Sequence, residues 1–201
     1  VLLPRLDKPT RSGAWFAATT NDGHVRVWRP GHEDAARTQP LDATQLEFDA
    51  ADSVLVFGTE GQAHAWHLAS DRVVALDQPP GGQMQDLRTS RDGTRALGMF
   101  TDGATVLWDT HTGRIVRRFW CMGDHDDSAR YSELSPDKTL LLSHTYAGSL
   151  ALCSVATGAA LARWATASLA AQQPGFSADG SSVHWFSEHG RVTWPLRGLA
   201  R

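Results

Sequence analysis

The stretch Ser90-Arg91-Asp92-Gly93-Thr94-Arg95-Ala96-Leu97-Gly98-Met99-Phe100-Thr101-Asp102-Gly103-Ala104-Thr105-Val106-Leu107-Trp108-Asp109 decides the fold. It contains two short apolar segments, Arg95 to Phe100 and Ala104 to Trp108, each introduced by an Asp-Gly pair. Asp-Gly supplies the positive φ that a tight hairpin turn demands, so the segments read as antiparallel strands. Met84 to Leu87 upstream and Arg114 to Phe119 downstream add a strand on each side, giving a four-stranded unit.

The same order recurs on both sides. Downstream come Arg130 to Leu134, the turn Ser135-Pro136-Asp137-Lys138, Thr139 to Thr145, the turn Tyr146-Ala147-Gly148 and Ser149 to Cys153, then a strand at Ala159 to Trp164. A fifth unit has Gly175-Phe176, Ser177-Ala178-Asp179-Gly180, Ser181 to Ser187, Glu188-His189-Gly190 and Arg191 to Trp194. Two looser units precede: Leu2 to Leu6, Ala14 to Thr19, Asn21-Asp22-Gly23 and His24 to Trp28; then Leu46 to Phe48, Val54 to Gly58, Thr59-Glu60-Gly61, Gln62 to Trp66 and Arg72 to Leu76. The equivalent position falls at Trp28, Trp66, Trp108, Cys153 and Trp194, in steps of 38, 42, 45 and 41 residues, close to the roughly 40–45 of a propeller blade. His24 to Trp28 alternates polar and apolar, whereas Leu140-Leu141-Leu142 is continuously apolar, as a strand packed on both faces would be. A sheet of four short strands cannot bury both faces alone, so neighbouring units must stack, with the tryptophans between them.

These tokens resemble a divergent WD-repeat β-propeller. The likeness rests on Trp108-Asp109 followed by Thr112-Gly113, on Cys153 followed by Thr157-Gly158, on the Ser-x-Asp-Gly turns at Ser90 and Ser177, and on Ser135-Pro136-Asp137. It covers nearly the whole chain and implies an all-β propeller of about five four-stranded antiparallel blades, near 1–42, 43–80, 81–122, 123–168 and 169–201, the last incomplete. Departures are plain: there is one Trp-Asp dipeptide, and the only Gly-His pairs, Gly23-His24 and Gly31-His32, do not precede a first strand. The family's buried Asp–His–Ser/Thr–Trp network is therefore expected to be absent or incomplete, with Asp22 and Asp102 as its remnants. Packing must substitute. With no initiator Met and no strand left to seal a ring, the expectation is an open arc cut from a longer propeller. The other phase makes Val1 to Leu6 the closing strand.

The 201 residues are 41% hydrophobic and 20% charged, with 19 basic against 22 acidic residues and a net charge of −3. Nothing here invites a nucleic-acid backbone, and no apolar run approaches the roughly 20 residues of a membrane-spanning helix. Two cysteines without C-x-x-C spacing make no disulfide framework, so no bridge is assumed and the count favours a reducing, cytoplasmic setting. No G-x-S-x-G elbow or phosphate-binding glycine loop occurs, and Gly81-Gly82 follows Pro79-Pro80 in a turn.

The resemblance implies that second-to-third-strand turns and blade-to-blade connections share one face, commonly the partner-binding one. The longest connection there is Trp120-Cys121-Met122-Gly123-Asp124-His125-Asp126-Asp127-Ser128. Trp120, Asp124, His125, Asp126, Asp127, Arg130, Tyr131 and Tyr146, with Met84 and Gln85 nearby, are the candidate contacts to a protein or peptide, because loops carry recognition and Trp, Tyr and Arg dominate hot spots. The plainer alternative is a solvated insertion with Trp120 covering a blade edge. A metal held by the Asp124 to Asp127 cluster is disfavoured, since consecutive residues cannot all point inward. The expectation is a protein-interaction scaffold with no cofactor; the alternative is a catalytic or metal-binding propeller with its site in the central channel.

Overall fold

The computed structural model describes residues 5–9, 13–122, 129–145, 148–165, 172–187 and 190–197. All regular structure among them is β. The first sheet comprises β1 (Arg5–Pro9), β2 (Phe16–Thr19), β3 (Val25–Arg29) and β4 (His32–Gln39); the second, β5 (Gln45–Phe48), β6 (Val54–Gly58), β7 (Ala63–His67) and β8 (Arg72–Ala75). The third holds β9 (Met84–Thr89), β10 (Arg95–Phe100), β11 (Thr105–Asp109) and β12 (Ile115–Phe119), and the fourth β13 (Ala129–Leu134), β14 (Leu140–Thr145), β15 (Ser149–Ser154) and β16 (Ala160–Ala165). Three strands, β17 (Gln172–Phe176), β18 (Ser182–Ser187) and β19 (Gly190–Pro195), form the fifth. Each sheet runs in simple chain order, so every strand pairs with its neighbour in sequence.

One register repeats. The marked position pairs across to the second strand as Phe16 with Trp28, Leu55 with Trp66, Leu141 with Cys153 and Val183 with Trp194. The chain divides into two compact units, one of residues 1–80, 87–96 and 108–115, the other of 81–86, 97–107 and 116–201. In the first unit Ala17, Val25 and Val27 of the first sheet pack against Leu46, Phe48, Leu55, Phe57 and Trp66 of the second. In the second unit Leu97, Leu107 and Phe119 meet Leu134, Leu141, Ala151 and Cys153, while Leu140, Leu142, Leu150 and Leu152 meet Phe176, Val183 and Trp185. Strand β14 thus sends Leu141 to one neighbouring sheet and Leu140 and Leu142 to the other, the period-2 geometry that its continuous apolar run requires.

The turns between first and second strands repeat a polar device. Ser90 donates its hydroxyl to Asp92 (2.8 Å) and accepts from the Arg95 amide (3.0 Å). Ser135 with Asp137 (2.6 Å) and the Leu140 amide (2.9 Å), and Ser177 with Asp179 (2.6 Å) and the Ser182 amide (3.0 Å), do the same. In the second sheet Asp49 replaces the serine and accepts from the Ser53 and Val54 amides (2.6 and 2.8 Å). One turn residue is left-handed each time: Asp52, Gly93, Lys138 and Gly180, at φ 52°, 68°, 60° and 68°. These side chains replace ladder hydrogen bonds that the reversal cannot make.

After the third strand, Asp109 accepts from the amides of His111 (3.1 Å) and Thr112 (3.0 Å) and from Arg95 Nη1 (2.5 Å). Burial works to raise its pKa, but the Thr112 hydrogen bonds and the Arg95 charge outweigh it and hold the carboxyl below its usual range. Gly113 closes this turn at φ 75°, and a Cβ there would lie 2.1 Å from the Ala75 carbonyl oxygen. Only glycine fits.

Asp22 and Asp102, the expected remnants of a buried network, both lie in turns between second and third strands. Asp22 is an exposed turn cap that accepts from the Thr20 hydroxyl (2.5 Å) and lies 3.3 Å from His24 Nδ1. Asp102 accepts from the Ala104 amide (3.1 Å) and pairs with Arg118. Trp194 is also not sealed in: it is 47% exposed, because no fourth strand covers β19 among the described residues. The two-cysteine count assumes no bridge, but the structure holds one. Cys121 and Cys153 are bridged, with Cα atoms 6.0 Å apart, so the cysteine count no longer favours a reducing compartment.

Acid should loosen the fold in two stages. Burial lowers the pKa of His64, which stacks on Phe57 at 5.3 Å, and burial together with Arg191 lowers that of His184. Both bind protons less readily folded than unfolded, so stability is full above the ordinary value of about 6.5 and falls as pH drops below it. Asp179, pulled to about 2 by the Ser177 and Ser181 hydroxyls and the Ser181 amide, adds stability present above about pH 4 and lost as pH falls toward 2. Melting temperature measured from pH 7.5 to 5.5 is expected to fall, with a smaller fall in His64→Phe; an unchanged slope in that variant removes His64 from the account.

Candidate partner-binding surface

Trp120 follows directly on β12, and it lies on the side of Arg118, two residues before it. The Arg118 guanidinium lies 4.6 Å from the centre of the Trp120 ring, and its Nη2 donates to Asp102 Oδ2. Asp102 is itself fixed by the Ala104 amide in the turn between β10 and β11. Carboxylate, guanidinium and indole are thus held in sequence, and Trp120 remains 44% exposed. An aromatic side chain held against a paired arginine keeps its apolar surface at little entropic cost.

The preceding connection is tied to the same turn. Gln83 donates its amide to Thr101 Oγ1 (2.9 Å), and the Thr101 amide donates to the Gln83 carbonyl (2.9 Å). Gly82 has φ 66°, and a Cβ on it would stand 3.1 Å from the Asp102 carboxylate and 3.2 Å from Phe100 Cβ. The Gly81-Gly82 pair therefore lets the backbone lie directly on Asp102, which explains two glycines after two prolines.

The sequence candidates separate. Trp120 stands at this surface. Gln85 is exposed, whereas Met84 beside it is 5% exposed and has little surface to offer a partner, as alternation on β9 dictates. Tyr131 is half-buried and donates to Glu133 (3.3 Å). Arg130 lies in β13, where its side chain is outside the described residues, as are Asp124, His125, Asp126, Asp127 and Tyr146 entirely. Among the described residues no three His, Cys, Asp or Glu side chains gather as a metal site would require. Sequence reading missed Arg118 and Gly82. The Arg-x-Trp spacing on a strand was the available signal for the first; the contact of Gly82 with Asp102 has none.

Four of the five marked positions link one sheet to the next. Trp66 and Trp108 are buried, and each is tied to the end of the preceding sheet: Arg37 stands 5.7 Å from the Trp66 ring, and Trp108 Nε1 donates to the Asp77 carbonyl (2.8 Å). Trp28 stacks on Phe16 within its own sheet at 5.8 Å, whereas Trp194 meets Trp164 of the fourth sheet edge-on at 5.8 Å. At Cys153 the same link is covalent.

This repeated antiparallel unit with sheet-to-sheet stacking defines a β-propeller. No protein-family profile and no curated protein matches the chain. Among solved structures, that of Kluyveromyces lactis Hsv2, complete loop 6CD, superposes with a TM-score of 0.74 at 14% identity, over 98% of this chain and 74% of that one. The likeness shows the fold. Because 1453 solved chains match, it selects no activity.

Proposed function

We propose that this chain is a propeller of WD-repeat type that acts as a non-catalytic scaffold, binding a protein or peptide through the surface around Trp120. One observation carries the reading: an indole 44% exposed, held against an arginine that a turn aspartate pins. Trp and Arg are enriched among the few residues that dominate binding energy, and preorganisation lowers the cost of using them. No cofactor enters. The Ser-x-Asp turns, which recur at one place in the third, fourth and fifth sheets, and the Asp109 turn after the one Trp-Asp dipeptide support the WD-repeat assignment. A cytoplasmic location belongs to the proposal as well, with the bridged cysteines as the point against it.

The test is affinity capture by the 201-residue chain from extracts of its own cells, run beside Trp120→Ala and Val116→Ala. A partner held by the parent and by Val116→Ala, with affinity reduced about thirtyfold or more by Trp120→Ala, is the expected result. A partner held equally by Trp120→Ala refutes the assignment of this surface.

A further inference from the structure

A cavity of about 440 Å³ opens in the first unit, lined by Trp15, Arg29, Arg37, Ala51, Asp52, Ser53, Leu68 and Ala69. Its size falls in the roughly 300–1,000 Å³ range of ligand sites. Its walls come from the ends of two stacked sheets: Trp15 precedes β2, Arg29 ends β3, Arg37 lies in β4, and the remainder belong to the turns after β5 and β7. Two guanidiniums share one indole there, Arg29 at 4.9 Å and Arg37 at 4.8 Å from the Trp15 ring centre. Arg37 Nη1 is committed, to the Leu68 carbonyl (2.7 Å) and to Asp71 (3.0 Å), which also accepts from Trp66 Nε1 (2.9 Å). Arg37 Nη2 is buried without an acceptor, and Arg29, exposed at the rim, has no acidic partner among the described residues.

We infer that this cavity binds a carboxylate borne on a short apolar peptide segment, with Arg29 receiving the carboxylate and Trp15, Leu68, Ala51 and Ala69 receiving the neighbouring apolar group. Planar guanidinium matches planar carboxylate in a bidentate pair, and an arginine already laid on an aromatic ring loses little freedom in making it. Asp71 pairs with Arg37, and with Asp52 in the wall the four side chains carry no net charge, so the cationic group open to a ligand is the rim guanidinium of Arg29 alone. This favours one carboxylate over a multiply charged anion. Every wall residue lies in the first unit, so the inference stands or falls apart from the reading of Trp120.

The test titrates the ¹⁵N-labelled chain with three capped tripeptides and follows the Trp15 indole N–H and the Arg29 Nε–H. Acetyl-Ala-Leu-Glu-amide carries only a side-chain carboxylate, acetyl-Ala-Leu-Ala only a terminal one, and acetyl-Ala-Leu-Gln-amide neither. Saturable shifts with one or both carboxylate peptides and none with the glutamine peptide are expected, and the responding peptide tells side-chain from terminal recognition. Arg29→Gln, an exposed substitution whose fold is checked by the unchanged Trp66 and Trp108 indole signals, is expected to weaken binding about tenfold or more. Equal shifts with the glutamine peptide, no shift with either carboxylate, or unaltered affinity in Arg29→Gln would overturn the inference.

Discussion

Replacing Trp66 with alanine is expected to lower the unfolding free energy by about 3–5 kcal/mol, the cost of deleting a large buried aromatic that its surroundings cannot refill. The side chain is 0% exposed and packs among Leu46, Leu55, Phe57 and Leu68. Its loss also removes a donor from Asp71, which braces Arg37. For a chain of this length the fall in melting temperature is about 10 °C or more. The equivalent Trp194→Ala is expected to cost about 1 kcal/mol or less, since Trp194 is 47% exposed and contributes mainly its edge contact with Trp164. Thermal or urea unfolding of the two variants side by side reads the difference. Equal losses at both positions would show that the repeat position does not act through burial.

Reducing the Cys121–Cys153 bridge is expected to cost about 3–4 kcal/mol, from the loop entropy of a sequence separation of 32. The bridge joins the segment after β12 to β15, the same sheet-to-sheet link that Trp66, Trp108 and Trp194 make at the equivalent position. Cys121→Ser is expected to melt at the lower temperature and to be indifferent to reductant, whereas the parent moves between the two. A parent whose melting is unaffected by reductant would contradict the structural role of the bridge.

How far the fold could be read from residues depended on which forces were local. Asp-Gly and Ser-x-Asp turns act within a few residues, so the boundaries of β10 coincide with the expected Arg95 to Phe100. The second sheet's first turn was harder to see, because Asp49 and Asp52 stand where serine and glycine stand elsewhere; the same hydrogen bonds are made by different atoms. The disulfide was illegible for a different reason. Cys153 was recognised as the tryptophan position, but its pairing with Cys121 depends on stacking between sheets, which no local pattern records. The candidate surface was legible in Trp120 alone. Arg118, Asp102 and Gly82 are assembled from three segments, and the cavity beside Arg29 from five.

One antiparallel register repeats from sheet to sheet, and interstrand nuclear Overhauser contacts of the backbone read it out. Contacts pairing Leu55 with Trp66, Leu141 with Cys153 and Val183 with Trp194 are expected in the same spectrum. Helical i to i+3 contacts through those segments, or pairings in a parallel sense, would contradict it.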